Sequence, residues 1–160
     1  MRLPLLLACL CAATPALSAS LTVTFRDGAP KDRFTVTYDG ACAASATDLV
    51  IDLGTAPAGL IFDTTGAGAG VEVFQPLEWV TGSARTSAVT DGDSALTLSL
   101  DGLAPGEVLA FTIDIDDTTS TRQITVDGSE MVGATLRVAG MEGTFDATGT
   151  ARVDLPTCTS

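Results

Sequence analysis

Apolar and polar residues alternate along most of the chain beyond residue 20. The stretches LTVTF (21–25), RFTVTY (33–38), DLVIDL (48–53), GVEVFQ (70–75) and SALTLSL (94–100) share a period of two. LAFTIDID (109–116), RQITVD (122–127), ATLRVAG (134–140) and GTFDATGTARVDL (143–155) continue it. Val, Ile, Thr and Phe dominate these stretches, as half-buried strands require. Asp-Gly pairs at 27–28, 39–40, 91–92, 101–102 and 127–128 separate them, with glycine expected to supply positive φ at the turns. No sustained helical period occurs. The pattern predicts an all-β fold, an antiparallel immunoglobulin-like or fibronectin-like β-sandwich. The predicted core is Val23, Phe25, Phe34, Val36, Leu49, Ile51, Phe62, Val73, Leu98, Leu100, Phe111, Ile113, Ile124, Val126, Leu136, Val138 and Phe145.

The first residues break this pattern. Arg2 is followed by an apolar run from Leu3 to Ala13 and then by small residues. That order reads as a cleaved secretory signal over 1–19, with processing expected after Ala19 and Ser18 as second choice. Residues 20–160 then form a single domain, secreted or periplasmic, with no membrane insertion after cleavage. Of 8 basic and 20 acidic residues, only Arg2 lies in the signal, so the mature chain carries 7 against 20, a net −13. Such a surface repels nucleic acid and anionic lipid, and it reads first as a device for solubility and second as an attractor of divalent cations. Two cysteines remain after cleavage, Cys42 and Cys158. In an oxidising compartment they are expected to form one disulfide, with free thiols and intermolecular bonding as the alternatives. Closing a loop of 116 positions is worth about 4–5 kcal/mol in the chain-entropy picture.

Missing residues exclude much chemistry. The sequence has no histidine, which removes Ser-His-Asp and Cys-His nucleophiles and imidazole-based zinc sites. Lys31 is the sole lysine, with no motif around it. Gly66, Gly68 and Gly70 are spaced G-x-G-x-G, but a strand rather than a helix follows, so they read as a loop and not as a phosphate cradle. These absences point away from an enzyme. Paired carboxylates are the one catalytic device left, which keeps a glycan-active protein as the alternative.

Acidic residues cluster twice. FTIDIDDTTS (111–120) places Asp114 and Asp116 on one face of a strand, with Asp117 breaking the alternation. At about 7 Å in water the pair repels by about 0.6 kcal/mol, so an exposed strand face tolerates it. TDGDSA (90–95) adds Asp91 and Asp93 around a glycine turn. Calcium needs six to eight oxygens. Asp91, Asp93, Asp114, Asp116 and Asp117 are the candidate ligands, with the hydroxyls of Thr118 and Thr119 beside them. The competing reading makes 90–95 a plain hairpin turn and 111–120 a solvated face.

Leu103, Pro105 and Gly106 resemble the L-x-P-G corner of fibronectin type III and related immunoglobulin-like modules, with Leu109 where that family carries its corner tyrosine. The resemblance implies a strand–corner–strand crossing between sheets. LTVTFRDGAPKDRF (21–34), GLIFDTTGAGAGVEVFQPLE (59–78), DGDSALTLSLDGLAPGE (91–107), FTIDIDDT (111–118) and GTFDATGTARV (143–153) are similar to small secreted bacterial proteins known as aggregation factor core proteins. That resemblance implies a secreted acidic β-module with an adhesive or matrix role, and it brings no catalytic or binding residue.

The expected function is thus an exported non-catalytic module for adhesion, matrix or surface interaction, calcium-dependent in one version. Its partner would be a protein or glycan at the cell surface. A periplasmic binding or accessory domain is a further alternative, in which Phe62, Phe74, Leu77 and Trp79 form an apolar docking surface, although residues of this kind more often belong to the core.

Overall fold

The computed structural model describes residues 18–65, 75–119 and 126–156. Within them the chain is all-β, with eleven strands and no helix. In chain order these are β1 (Ala19–Arg26), β2 (Asp32–Asp39), β3 (Thr47–Asp52), β4 (Leu60–Asp63), β5 (Glu78–Thr81) and β6 (Arg85–Thr86). They continue as β7 (Ala95–Leu100), β8 (Val108–Asp117), β9 (Thr135–Val138), β10 (Met141–Thr144) and β11 (Thr150–Leu155).

Two antiparallel sheets result. The first runs β11-β1-β2-β8-β4, with β5 also on β8, and the second runs β10-β9-β3-β7-β6. A single apolar cluster draws on both and makes the structure a two-layer β-sandwich. Every predicted core residue among the described ones is buried; Val73 and Ile124 lie outside them. The alternation explains why: β1 turns Leu21, Val23 and Phe25 inward and leaves Thr22, Thr24 and Arg26 outside. β2 does the same with Phe34, Val36 and Tyr38 against Arg33, Thr35 and Thr37. The segment 101–107 carries the chain from β7 in the second sheet to β8 in the first. Gly106 and Glu107 bond there to the backbone of Tyr38.

Turn chemistry is less uniform than the Asp-Gly pairs suggest. Only Gly92 (φ 83°) and Gly102 (φ 134°) of the five take positive φ. Gly28, Gly40 and Gly128 instead leave room. A Cβ on Gly28 would strike the Lys31 carbonyl, and one on Gly40 the Tyr38 ring.

Phe111 anchors the first sheet's inner face. Its ring stacks on Phe34 at 5.2 Å and meets the Trp79 edge at 5.5 Å. Trp79 and Leu77, half-buried, pack on the core and Phe62 is fully buried, in line with the core reading of these residues; Phe74 lies outside the described residues. Phe111→Ala is expected to lower unfolding free energy by about 3–5 kcal/mol in urea denaturation. A loss under about 1 kcal/mol would contradict this packing.

Candidate functional site

β8 is bonded along both edges. β2 pairs with residues 108–113 on one side, from Thr37↔Val108 to Asp32↔Ile113. On the other side β5 pairs with 110–112 and β4 with 114–117. Asp114 and Asp116 share a face, as the alternation requires. At these positions the face is largely withdrawn from water: Asp116 is only 2% exposed and Asp114 is half-buried. The expectation of a solvated pair is thus corrected. Alternation fixes which side chains share a face, but not what covers that face. Asp117 turns the opposite way, across from Leu60, and is buried as well.

β4 supplies the partner. Asp63 stands opposite Asp114 in the ladder and is 1% exposed. Carboxylate oxygens of Asp63, Asp114 and Asp116 lie within 4.8 Å of one another. Sequence reading missed Asp63. Its only local signal is a single acid closing the apolar run Leu60–Phe62. The pairing that makes it important joins positions 51 apart.

Asp91 and Asp93 stay outside this cluster, among the described residues, but they hold it in place. Asp91 Oδ1 accepts the backbone N–H groups of Thr64 and Thr65, both at 2.8 Å, and the Thr64 hydroxyl at 3.0 Å. Its Oδ2 takes the Thr65 hydroxyl. Those bonds, the Thr65 hydroxyl first, hold Asp91 down to about 2. Asp93 Oδ2 accepts the Thr90 N–H at 2.8 Å and the Thr90 hydroxyl at 2.9 Å, which lowers Asp93 too. The same turn covers the outer edge of β4: Phe62 N–H donates to the Asp93 carbonyl and Gly92 N–H to the Phe62 carbonyl. Asp63 is therefore fixed from both sides in the chain. The Thr118 and Thr119 hydroxyls, counted as candidate ligands, donate to the carbonyls of Gly59 and Ala58 and hook the end of β8 to the start of β4.

Two more groups shape the field. Asp32 begins β2, and its Oδ2 accepts the Ile115 N–H at 3.1 Å, extending the ladder by one rung, while Oδ1 accepts the Gly28 N–H at 3.1 Å. Burial, with help from the Asp114 and Asp27 charges, pushes Asp32 up to about 7 against these bonds. Asp114 also rises to about 7, through burial first, then Asp116 and Asp63. Lys31 pulls the other way. It pairs with Glu78 at 2.6 Å and donates to the Pro76 carbonyl at 3.1 Å. Lys31 is mostly buried and Glu78 mostly exposed, so the pair is anchored at the lysine end.

Three carboxylates so placed offer up to six oxygens, the lower bound of a calcium shell. Their chemistry suits a hard divalent cation, whose charge would offset the mutual repulsion. A separate cavity of about 310 Å³ lies among Thr64, Thr65, Pro76, Leu77, Thr86, Ser87, Val89 and Ile113, and among the described residues no ionisable side chain lines it. Comparison with protein-family models, curated proteins and solved structures finds no match.

The sign of the pH dependence follows from these shifts. Asp32 and Asp114 hold protons more tightly folded than unfolded, where the value is 3.8. The stability this gives is full below about pH 4 and is lost as pH rises through about 7. Asp91, Asp93, Asp127 and Asp146 are pulled down, the last two first by the hydroxyls of Ser129 and Thr148. Their contribution is present above about pH 4 and is lost as pH falls below it. In chelator, the melting temperature is expected to fall between pH 4.5 and 7.5. Asp114→Asn should flatten that slope and raise stability at pH 7.5. An unchanged slope in the variant would contradict the assignment.

Proposed function

We propose that this chain is an exported, non-catalytic, immunoglobulin-like β-sandwich module for adhesion, matrix or surface interaction, stiffened by calcium at Asp63, Asp114 and Asp116. The observation that carries the reading is the convergence of those three carboxylates from two paired strands. Calcium there would cross-link β4 to β8, and so the TDGD turn to the centre of the first sheet. The deep burial of Asp63 and Asp116 favours this structural role over glycoside cleavage, which needs both carboxylates open to a sugar. The crossing from β7 to β8 at 101–107 supports the immunoglobulin-like reading.

The reading includes a Cys42–Cys158 bridge; Cys158 lies outside the described residues. β2 and β11 both run antiparallel to β1 and end at the same side of the sheet, at Asp39 opposite Ser20 and Leu155 opposite Ala19. Those ends are two strand spacings apart, about 10 Å. Each cysteine follows its strand end by three residues. The Tyr38 hydroxyl donates to the Cys42 carbonyl at 2.7 Å and ties that loop down. A peptide map of unreduced mature protein is expected to give one linked Cys42–Cys158 peptide. Complete alkylation of both thiols without reduction would refute the bridge.

Calcium at 100 times its Kd adds about 2.7 kcal/mol, which for a domain of this size raises the melting temperature by about 5–10 °C. Asp63→Asn and Asp116→Asn are expected to abolish the rise. Asp91→Asn should lower the starting stability yet keep it. An unchanged melting temperature at millimolar calcium would remove the cation from the proposal.

A further inference from the structure

The described residues hold one lysine and five arginines. Four of these six are in ion pairs: Lys31 with Glu78, Arg85 with Asp101, Arg137 with Asp52 and Arg152 with Asp154. The remaining two, Arg26 and Arg33, make no ion pair among the described residues, although the chain has 20 acids to offer. They stand directly opposite each other on β1 and β2, both exposed on the outer face of the first sheet. Like charges at that position destabilise a ladder.

Their surroundings are polar and include acids: Asp114 is the next outward residue of β8 after Thr112, and Glu78 stands opposite Thr112 on β5. The next outward-facing rung is Thr24 opposite Thr35, and Arg33 faces Thr112 on β8. Arg152 lies on the same face, opposite Thr22, about 13 Å up the strand by the rise per residue. Guanidinium forks grip sulfate and carboxylate groups in pairs, and hydroxyls match a hydroxyl-rich ligand. Aromatic rings for stacking bases are missing from these outward positions of β1, β2 and β11. The net negative charge also repels a dense polyanion such as nucleic acid at long range, whereas at 0.15 M salt a local patch is screened from distant acids beyond about 8 Å.

We propose that the Arg26–Arg33 pair, with the threonine rung beside it, is the contact surface for an anionic polysaccharide bearing sulfate or carboxylate groups. This names a partner class for the interaction module above and rests on that reading for its biological sense. It uses the β1–β2 part of the first sheet's outer face; the Asp63–Asp114–Asp116 cluster occupies the neighbouring part of that face, Asp114 being two residues beyond the Thr112 that Arg33 faces.

The test is binding of the mature protein, in chelator, to immobilised dextran sulfate at 50 mM salt. Neutral dextran and duplex DNA serve as competitors, and the melting temperature of each variant is recorded. Wild type is expected to bind, with affinity falling steeply as salt rises. Arg26→Ala/Arg33→Ala should weaken binding at least tenfold without lowering the melting temperature, whereas Arg85→Ala on the second sheet should leave it unchanged. Lysine at both positions should recover part of the affinity. No binding by wild type, equal binding by the double alanine variant, or equal competition by neutral dextran or DNA would overturn the proposal. Because chelator is present throughout, such a failure is separable from failure of the calcium reading, which the melting experiment decides.

Discussion

Strand β8 is hydrogen-bonded along both edges and buried on its inner side, with Thr112 and Asp114 half-buried on the outer one. β2 runs along one edge, β4 and β5 share the other, and Phe111, Ile113 and Ile115 bury the inner side. Its backbone groups must find partners inside the protein, because an unpaired buried N–H or carbonyl is costly. Where β2 stops, the Asp32 carboxylate takes over the Ile115 N–H. A strand so enclosed brings its carboxylates in with it. The rise of Asp114 to about 7, and the meeting of Asp63 with Asp114 and Asp116, follow from that enclosure.

The surroundings divide the acids into two kinds. Asp91, Asp93, Asp127 and Asp146 accept hydrogen bonds from nearby N–H and hydroxyl groups, and their charge is stabilised as part of a turn. Asp114 lacks that compensation in full measure and sits among like charges. The first kind shapes loops; the second stores electrostatic energy that a proton or a cation can release. Asp91 links the two, since the threonines it holds directly follow Asp63 in the chain.

Much of the fold was legible in the sequence because a period of two carries it. Val23, Phe25, Phe34, Val36, Phe111 and Ile113 could be placed inward from alternation alone, and all are buried. Asp63 could not be found that way. Its meeting with Asp114 depends on β4 pairing with β8, and a four-residue strand gives a weak local signal. The short β5 and β6 escaped for the same reason. The exposed reading of Asp114 and Asp116 failed because shared orientation says nothing about neighbouring strands and loops. Gly28, Gly40 and Gly128 show a similar limit: the residue type announces a turn, but crowding rather than positive φ is what calls for glycine there. The juxtaposition of Arg26 and Arg33 emerges only when the register sets them face to face.

The most direct test of the central claim is a carbon-detected NMR titration of the aspartate carboxyls in calcium-free mature protein. The enclosure of β8 requires midpoints near 7 for Asp114 and Asp32, with Asp91 near 2. Midpoints for Asp114 and Asp32 at the ordinary 3.8 would mean that water reaches this part of β8, and would contradict the account.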